Sequence, residues 1–268
     1  MSNTIREQIT GKCAELDIPL VGFASASSWD TPRFEPWIPP EFRPRALWPE
    51  VKTVIVIGIH VSLPALETAP SIWYHEVYRT VNTLLDTSAY RIALFLGTRG
   101  FPSISLPRDG YGSIEVLKER PVAFFSHRHA AYLAGLGTFG INNMLLTPQF
   151  GPRVRFTTLF TTAEIRPDPV MEKDLCIRCM RCSKICPVAA IGSRDYPEGI
   201  TDKRTCATRS SELHKRYISP CGLCIKVCPA GEDRVKFRRK DMNIYNEKTD
   251  EFSHYHEAWN HVRSYGGK

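Results

Sequence analysis

Cysteine is the residue type whose distribution suggests chemistry in this sequence of 268 residues. Eight of the nine cysteines fall between Cys176 and Cys228, whereas Cys13 stands alone. The N-terminal residues MSNTIREQIT lack the apolar core of an export signal, so a framework of disulfides is not expected. Clustered thiolates in such a chain indicate metal binding.

The first four of these cysteines follow the spacing C-x2-C-x2-C-x3-C-P. In bacterial ferredoxins three cysteines of this run hold one [4Fe–4S] cluster and the fourth reaches a second one. The two-residue gaps let three sulfurs converge, and the three-residue gap carries the fourth away. Structural zinc sites also use C-x2-C pairs but do not need the full run with its proline, so we predict iron–sulfur clusters. The run consists of Cys176, Cys179, Cys182, Cys186 and Pro187.

The second half of the pattern lacks its first cysteine. It consists of Cys221, Cys224, Cys228 and Pro229, and Cys206 is the only other thiol nearby. By the crossed arrangement of two-cluster ferredoxins, we expect each half to lend its last cysteine to the other cluster. Cluster one then uses Cys176, Cys179, Cys182 and Cys228, and cluster two uses Cys206, Cys221, Cys224 and Cys186.

Positive charge is concentrated around the same cysteines. The formal net charge is +7, and residues 203–240 contain eleven Lys and Arg against three acidic residues. Four thiolates around an iron–sulfur core leave a net anion, which such charges would offset. The rest of the excess could face an acidic partner.

The elements that must position the cysteines follow from the hydrophobic pattern. We predict a first helix with Cys13 on its buried face, strands at 20–24, 51–61 and 154–165, and helices at 73–96 and 128–136. The six prolines of residues 30–50 predict a surface crossing with neither helix nor central strand. Alternating strands and helices predict an α/β or α+β sandwich for the first 165 residues.

The composition changes at Pro167 and Pro169, which mark a boundary. We predict a cofactor-binding domain at 1–170, a ferredoxin-like domain at 171–235 and a helical tail at 236–268 that packs on the body. With 43% hydrophobic and 24% charged residues the chain is not disordered, and its longest apolar run is far too short for a bilayer. We therefore expect a cytoplasmic protein without a membrane partner.

Several motifs together resemble a known family. Residues 126–155 read SHRHAAYLAGLGTFGINNMLLTPQFGPRVR and precede the cysteine region, LVGFA follows the first helix, and Trp73-Tyr74-His75 opens the long helix. With the order of the cysteines, these motifs resemble epoxyqueuosine reductases and, more distantly, corrinoid reductive dehalogenases. The resemblance covers most of residues 1–235.

The resemblance implies an α+β fold in which a nitroreductase-like sandwich is followed by a ferredoxin-like domain with two [4Fe–4S] clusters. It also implies base-off cobalamin, with FMN as the alternative because nitroreductase-like folds commonly hold flavin. Glycines of the AGLGTFG turn would let the backbone approach a large planar cofactor. The implied cofactor-binding residues are His75, Ser126, Arg128, Gly135, Gly137, Leu145, Phe156 and Leu159.

The sequence also departs from the epoxyqueuosine reductases. Pro121 stands where the family carries its proton-donating aspartate, and we expect no C-terminal helical-repeat domain, so tRNA is not expected as a partner. Each local candidate for a proton donor also has a purely structural explanation, such as a turn, packing or a helix cap. The candidates are Tyr74, Asp109, Tyr111 and His127.

Three functions remain open at this point. The first is a cobalamin- and iron–sulfur-dependent reductase that takes electrons from an external low-potential donor such as ferredoxin or flavodoxin and reduces a small or nucleoside-type substrate. The second is an electron-transfer or corrinoid-activating protein without a substrate of its own. The third is an FMN-binding iron–sulfur oxidoreductase.

Overall fold

A four-stranded antiparallel sheet is the scaffold of the N-terminal part of the molecule. The computed structural model describes residues 4–30 and 38–266. The sheet has the order β1-β2-β6-β3. Its strands are β1 (Leu20–Ser25), β2 (Thr53–His60), β3 (Ser103–Leu106) and β6 (Val154–Thr161), and a separate hairpin consists of β4 (Thr138–Phe139) and β5 (Leu145–Leu146).

Helices cover the sheet and carry the cysteines. The helices of the sheet region are α1 (Ile5–Glu15), α2 (Pro44–Leu47), α3 (Leu63–Glu67), α4 (Ile72–Gly97), α5 (Ile114–Glu119) and α6 (His127–Leu133). The remaining helices are α7 (Arg181–Ile185), α8 (Lys203–His214), α9 (Leu223–Lys226), α10 (Asp233–Lys236) and α11 (Ser253–Ser264). Together with the antiparallel sheet, this arrangement confirms the predicted α+β fold class.

The two faces of the sheet bury different helices. Side chains alternate along a strand, so Ile55 and Ile57 of β2 face α1 and α4, whereas Val54 and Val56 face α6. Cys13 of α1 is buried in the first of these cores, as predicted, and its burial raises the pKa of the thiol to about 12. It is therefore a small core residue and not a metal ligand.

The same alternation corrects one predicted cofactor residue. Phe156 and Leu159 are three positions apart on β6, so they lie on opposite faces of the sheet. Phe156 packs on the α6 side, while Leu159 is fully buried with Leu85 and Ile92 of α4. Leu159 cannot line a cavity shared with Phe156, and it belongs to the core.

The proline-rich segment also differs from the prediction in part. Residues 31–37, with Pro32 and Pro36, lie outside the described residues. Further along, a short 3-10 helix at Pro40–Phe42 and helix α2 each begin with a proline. Proline is favoured at the first helical position because its fixed φ suits a helix and its missing N–H needs no partner there.

The C-terminal helix α11 packs back on the cysteine region. Trp259 forms a small apolar core with Val227, Met242 and Ile244. The Arg263 Nε donates to the Thr68 carbonyl over 2.9 Å, which connects the helix to the end of α3. In the part of the chain that the structure covers, no helix has both the length and the apolarity that crossing a bilayer requires.

The placement of Leu159 predicts a purely structural effect of its truncation. Leu159→Ala should lower the free energy of unfolding by about 2–5 kcal/mol, because it removes fully buried methyl groups and leaves a cavity. Ile104→Ala on β3, where the side chain is 46% exposed, should cost much less. Anaerobic urea denaturation of both variants measures the difference, and equal losses would contradict the assignment of Leu159 to the core.

Candidate functional site

Four cysteines from two distant segments line one pocket. A pocket is bordered by the first three cysteines of the ferredoxin-like run and by Cys228, far along the chain in the second half. This is the set of four that the crossed arrangement predicts for cluster one. The four residues are Cys176, Cys179, Cys182 and Cys228.

The backbone of the first cysteine loop explains why three sulfurs converge. Arg178 and Met180 have φ values of +53° and +58°, so the chain turns sharply on both sides of Cys179. Arg178 holds the turn from outside through ion pairs to Asp174 at 2.6 Å and Asp195 at 2.8 Å. Helix α7 then begins at Arg181 and carries Cys182.

The other four cysteines form a second group. Burial raises the pKa of Cys206, and the nearby Cys221 and Cys186 thiols raise it further. Burial also raises the pKa of Cys224, next to Cys206 and Cys221. Cys186 accepts a hydrogen bond at its Sγ from the Ala190 amide over 3.3 Å. These four are the set predicted for cluster two.

The two groups of sulfurs fit bound iron–sulfur clusters chemically. Burial raises the pKa of Cys228 to about 11, and the cationic irons of a cluster would reverse this preference for the neutral thiol. Burial raises the pKa of Cys221 as well, the Arg209 guanidinium opposes the rise, and the buried Arg209 Nε has no hydrogen-bond partner. The Arg209 guanidinium pairs with Glu212 through Nη1, and its remaining Nε donor beside the sulfurs is suited to an anionic cluster.

The glycine-rich segment contacts other protein segments, and its predicted contact with a cofactor stays a prediction. Gly135, with φ of +70°, packs against the Pro169 carbonyl, and Gly137 packs against the Leu146 carbonyl, so a Cβ at either position would meet backbone. Farther along, Gly140 and Leu146 border the first cysteine pocket. The turn therefore contacts the linker and lines the pocket of the first cysteine group. The close approach that its glycines permit in this structure is between protein segments.

A second polar centre surrounds Arg155 on the α4 face of β6. Its Nε donates to Asn82 over 3.0 Å, its Nη2 pairs with Asp109 at 3.2 Å, and its guanidinium lies 4.7 Å from the centre of the Tyr78 ring. Sequence reasoning missed Arg155, Asn82 and Tyr78. The available signal was an arginine within the otherwise uncharged strand VRFTTLFT, where a charge requires partners.

All four predicted proton-donor candidates lie around this arginine. Asp109 pairs with it directly. Burial raises the pKa of Tyr111, Asp109 and Tyr78 raise it further, and Arg155 opposes the rise. Burial likewise raises the pKa of Tyr74, which Arg155 opposes, and Tyr74 also lies close to Cys224 and Cys221. Tyr74 thus connects the Arg155 centre with the second cysteine group.

His127 is held in a form that cannot readily give up a proton. Its Nε2 lies 3.0 Å from the Pro107 carbonyl and must donate to it, so Nδ1 accepts from the Thr158 hydroxyl at 2.8 Å. Burial lowers the pKa of His127 to about 4, with Arg155 acting in the same direction. His127 is therefore a neutral imidazole with both nitrogens engaged.

The predicted cofactor residues are distributed over several environments. Three of them already have protein partners: His75 Nδ1 lies 2.5 Å from the Ser219 carbonyl, Ser126 Oγ lies 2.6 Å from His129 Nδ1, and Arg128 donates to the Asn143 carbonyl. Leu145 is buried with Phe156 in the core on the α6 side. Arg128 lies near Cys206 and Cys224, so it and His75 remain beside the second cysteine group.

A cysteine-rich segment of this geometry, joined to an α+β body, defines an iron–sulfur protein. Residues 169–191 match the family model described as "4Fe-4S binding domain". The match includes the whole first cysteine run, and the segment enters the pocket from the linker that packs on Gly135.

The particular relatives fall into two groups of reductases. A tetrachloroethene reductive dehalogenase of Desulfitobacterium hafniense is 26% identical over 66% of this chain and 32% of the relative. An epoxyqueuosine reductase of Bacillus cereus is 25% identical over 90% of this chain and 66% of the relative. These matches confirm the resemblance, and the chain spans about a third of the length of the dehalogenases.

Solved structures show the same fold. A catabolic reductive dehalogenase has a TM-score of 0.62 at 20% identity and covers 96% of this chain and 35% of its own. The epoxyqueuosine reductase of Streptococcus thermophilus has a TM-score of 0.58 at 19% identity and covers 84% of this chain and 65% of its own. The α+β body with its cysteine region is thus common to both groups.

The neutral His127 predicts a pH dependence of stability. The unfolded chain takes up a proton below the usual histidine pKa of about 6.5, whereas the folded His127 does so only near 4. The contribution of neutral His127 to the free energy of unfolding is present at pH 7 and is lost as the pH falls toward 4. Wild-type protein should lose about 1–2 kcal/mol more than His127→Gln between pH 7 and pH 5.

Urea unfolding at both pH values measures this difference. His254→Gln is the control, because the His254 side chain is exposed on α11, and it should retain the wild-type pH dependence. An identical pH dependence in wild type and His127→Gln would contradict the neutral state of His127.

Proposed function

We propose that this chain is an iron–sulfur oxidoreductase with two [4Fe–4S] clusters that deliver electrons to a corrinoid, which then reduces a small or nucleoside-type substrate. The observation that carries the proposal is the position of Tyr74 between the second cysteine group and the Arg155 centre. Cluster two would thereby lie beside the polar groups that can bind a substrate and supply a proton.

The contact of Tyr74 with the cysteine loop is direct. Gly222, between Cys221 and Cys224, has φ of +71°, and a Cβ at this position would lie 2.7 Å from the Tyr74 ring. The Tyr74 ring therefore packs in direct contact with the cysteine loop. Tyr74 is itself fixed at the start of α4, where its amide donates to the Ser71 hydroxyl over 3.0 Å.

One relative supports a corrinoid as the electron acceptor. The solved structure of one reductive dehalogenase, which has a TM-score of 0.61 with this chain, suggests a mechanism for B12-dependent dehalogenation. A bound corrinoid would supply a strongly reducing cobalt centre. Arg155, Arg128 and His75 are the polar side chains of this chain that would hold it beside cluster two.

The residues around Arg155 can supply and control a proton. The raised pKa keeps the Tyr111 phenol protonated at neutral pH, and Asp109 is its neighbouring carboxylate. Arg155 favours the phenolate that proton donation would leave behind, because a nearby cation stabilises an anion. Tyr111 is therefore the proposed proton donor, Arg155 its electrostatic partner, and His127 a structural neighbour that orders Pro107.

The first cysteine pocket is the proposed entry point for electrons. Cys179 is exposed, and Ile177 beside it is 72% exposed, so the edge of cluster one would meet solvent. An external low-potential donor such as ferredoxin or flavodoxin could approach there without a conformational change. Electron transfer to another protein is the second candidate function, and it is favoured by Pro121 at the position of the family's aspartate.

The ligand sets predict the composition and its response to mutation. Wild-type protein purified without oxygen should contain about eight iron and eight sulfide per chain. Cys206→Ala should damage the cluster of Cys186, Cys221 and Cys224 and leave the other intact. Cys13→Ala, which changes a cysteine in the core of the sheet region, should retain both clusters.

Iron and sulfide analysis with electron paramagnetic resonance of the reduced protein tests these sets. Zinc in place of iron would overturn the iron–sulfur assignment. Two unperturbed clusters in Cys206→Ala would show that the fourth ligand of cluster two is another residue.

The corrinoid predicts a spectral change on binding. Wild-type protein offered cobalamin under anaerobic conditions should remove the absorption signature of the cofactor's own benzimidazole ligand. Arg155→Met should weaken this binding by about ten- to a hundredfold, since a charged hydrogen bond contributes about 1.5–3 kcal/mol. Arg79→Met is the matched control, because Arg79 is exposed on α4 and pairs with Glu76.

Three outcomes separate the candidate functions. Cobalamin binding that depends on Arg155 supports the corrinoid-dependent reductase. Stoichiometric FMN uptake without a cobalamin response would replace the corrinoid by a flavin. A protein that binds neither, while both clusters are present, would leave electron transfer to a partner as its function.

A further inference from the structure

Two fully buried arginines converge on the backbone of Cys228. The Arg234 Nε donates to the Cys228 carbonyl over 2.8 Å, and Arg153 Nη1 donates to the same oxygen over 3.1 Å. Both side chains are about 1% exposed. Two buried guanidinium groups therefore lie directly beside the backbone of this cysteine.

The charges of these two arginines are compensated differently. Arg153 forms a two-pronged ion pair with Asp233, at 2.7 Å from Nε and 2.6 Å from Nη2. Arg234 makes its other hydrogen bonds to the Tyr245 hydroxyl, at 2.5 Å, and to the Lys226 carbonyl. Within residues 4–30 and 38–266, no carboxylate forms an ion pair with Arg234. Its positive charge is therefore buried beside Cys228 and lacks a direct counter-ion.

A charge in this position affects a cluster's reduction potential. A [4Fe–4S] core with four thiolates becomes more negative by one unit when it accepts one electron, and its potential depends on net charge and hydrogen bonding. A nearby buried cation stabilises the reduced, more anionic form more than the oxidised one, and solvent screens a buried charge poorly. The cation therefore raises the potential.

We propose that Arg234 is a positioning residue for cluster one that fixes the backbone of its fourth ligand and raises its reduction potential above the value that the same ligands would give without it. The inference rests on the proposed ligand set of Cys176, Cys179, Cys182 and Cys228. A higher potential at cluster one favours acceptance of an electron from the external donor.

The C-terminal segment holds Arg234 in place. Tyr245, which accepts from Arg234, in turn donates to Glu67 over 2.8 Å, and Glu67 also pairs with Arg239 at 3.1 Å. Next to Tyr245, Lys226 pairs with Glu247 at 3.2 Å and lies 4.5 Å from the centre of the Trp259 ring. Residues 236–266 thus act on the cluster through Arg234 and α9, although they provide no ligand.

Redox titration of each cluster tests the inference in the full-length protein. In Arg234→Met, cluster one should titrate at a more negative potential, while cluster two keeps its wild-type potential as an internal reference. Arg234→Lys keeps the charge but loses the planar fork, so its potential should remain close to wild type even where less iron is retained. Tyr245→Phe removes one hydrogen bond of Arg234 without a change of charge and should also leave the potential near wild type.

Arg178→Met is the matched control for the loss of one positive charge near the same cluster. Arg178 lies between two cysteines of cluster one, but it is about half exposed and pairs with Asp174 and Asp195. Its replacement should shift the potential much less than Arg234→Met, because solvent screens an exposed pair. An equal shift in both variants would overturn the inference, as would equal shifts in Arg234→Met and Arg234→Lys.

The outcome is distinguishable from a failure of the proposed function. Iron analysis and the two cluster signals of the wild type test the ligand sets before any arginine is changed. If the wild type contains two clusters and iron-replete Arg234→Met titrates at the wild-type potential, the role of Arg234 is refuted and the proposed ligand sets stand. If Arg234→Met loses iron, two potentials decide whether Arg234 acts through its charge or only by positioning the ligand. These are the potential of Arg234→Lys and the potential of the Arg234→Met molecules that retain cluster one.

Discussion

The buried ion pair between Arg153 and Asp233 joins the sheet to the cysteine region, and the site depends on it. Arg153 immediately precedes β6, the strand that pairs with both β2 and β3. Its guanidinium binds Asp233, the Cys228 carbonyl and the Ala230 carbonyl, so nearly every donor is used. An ion pair at this depth is tolerable only with such complete hydrogen bonding, and loss of one partner would leave a buried charge. The second half of the cysteine pattern is thereby placed relative to β6, which also carries Arg155.

The distribution of charge follows from the same requirement. The excess of Lys and Arg after residue 203 gives no indication of which cations are internal, yet Lys226 and Arg234 are almost fully buried and Arg209 has a buried, unpaired nitrogen. Lys226 is neutralised by Glu247, whereas Arg234, Arg128 and the partly exposed Arg209 lie beside cysteines. Clusters ligated by thiolates are anionic, so these cations would offset charge that solvent cannot screen. Part of the basic character of the chain therefore belongs to the interior of the cysteine region and is not available for an acidic partner.

The sequence predicted the parts of the structure that local patterns determine. The long helix, the two central strands and the burial of Cys13 depend on periodicity and composition, and they lie within a few residues of the predicted bounds. The convergence of Cys228 on the first run followed from the spacing of ferredoxins.

Arg153, Arg155 and Arg234 could not be found in this way, because each is a single residue whose partners are distant in sequence. Leu159 could have been excluded as a neighbour of Phe156 in one cofactor pocket, since residues three apart on a strand face opposite sides of the sheet. The glycines of the AGLGTFG turn were assigned to a cofactor because the neighbouring Pro169 and Leu146 carbonyls come from other segments.

The position of the second cysteine group beside the Arg155 centre gives the proposed electron path a direction. Each group has one exposed cysteine, Cys179 in the first and Cys206 in the second, but Cys224 of the second group lies beside Tyr74 and Arg128. Helices α7 and α9 pack together, and Cys182 of the first group lies close enough to Cys224 to raise its pKa. In the proposed ligand sets, Cys186 and Cys228 follow α7 and α9 directly, so the exchange between the halves links both groups to this helix pair. An electron that enters at the first group would have its nearest acceptor in the second group, and the second group lies next to the polar centre around Arg155. On the proposed path, electrons would thus travel from the surface near Cys179 through both cysteine groups toward the Arg155 centre.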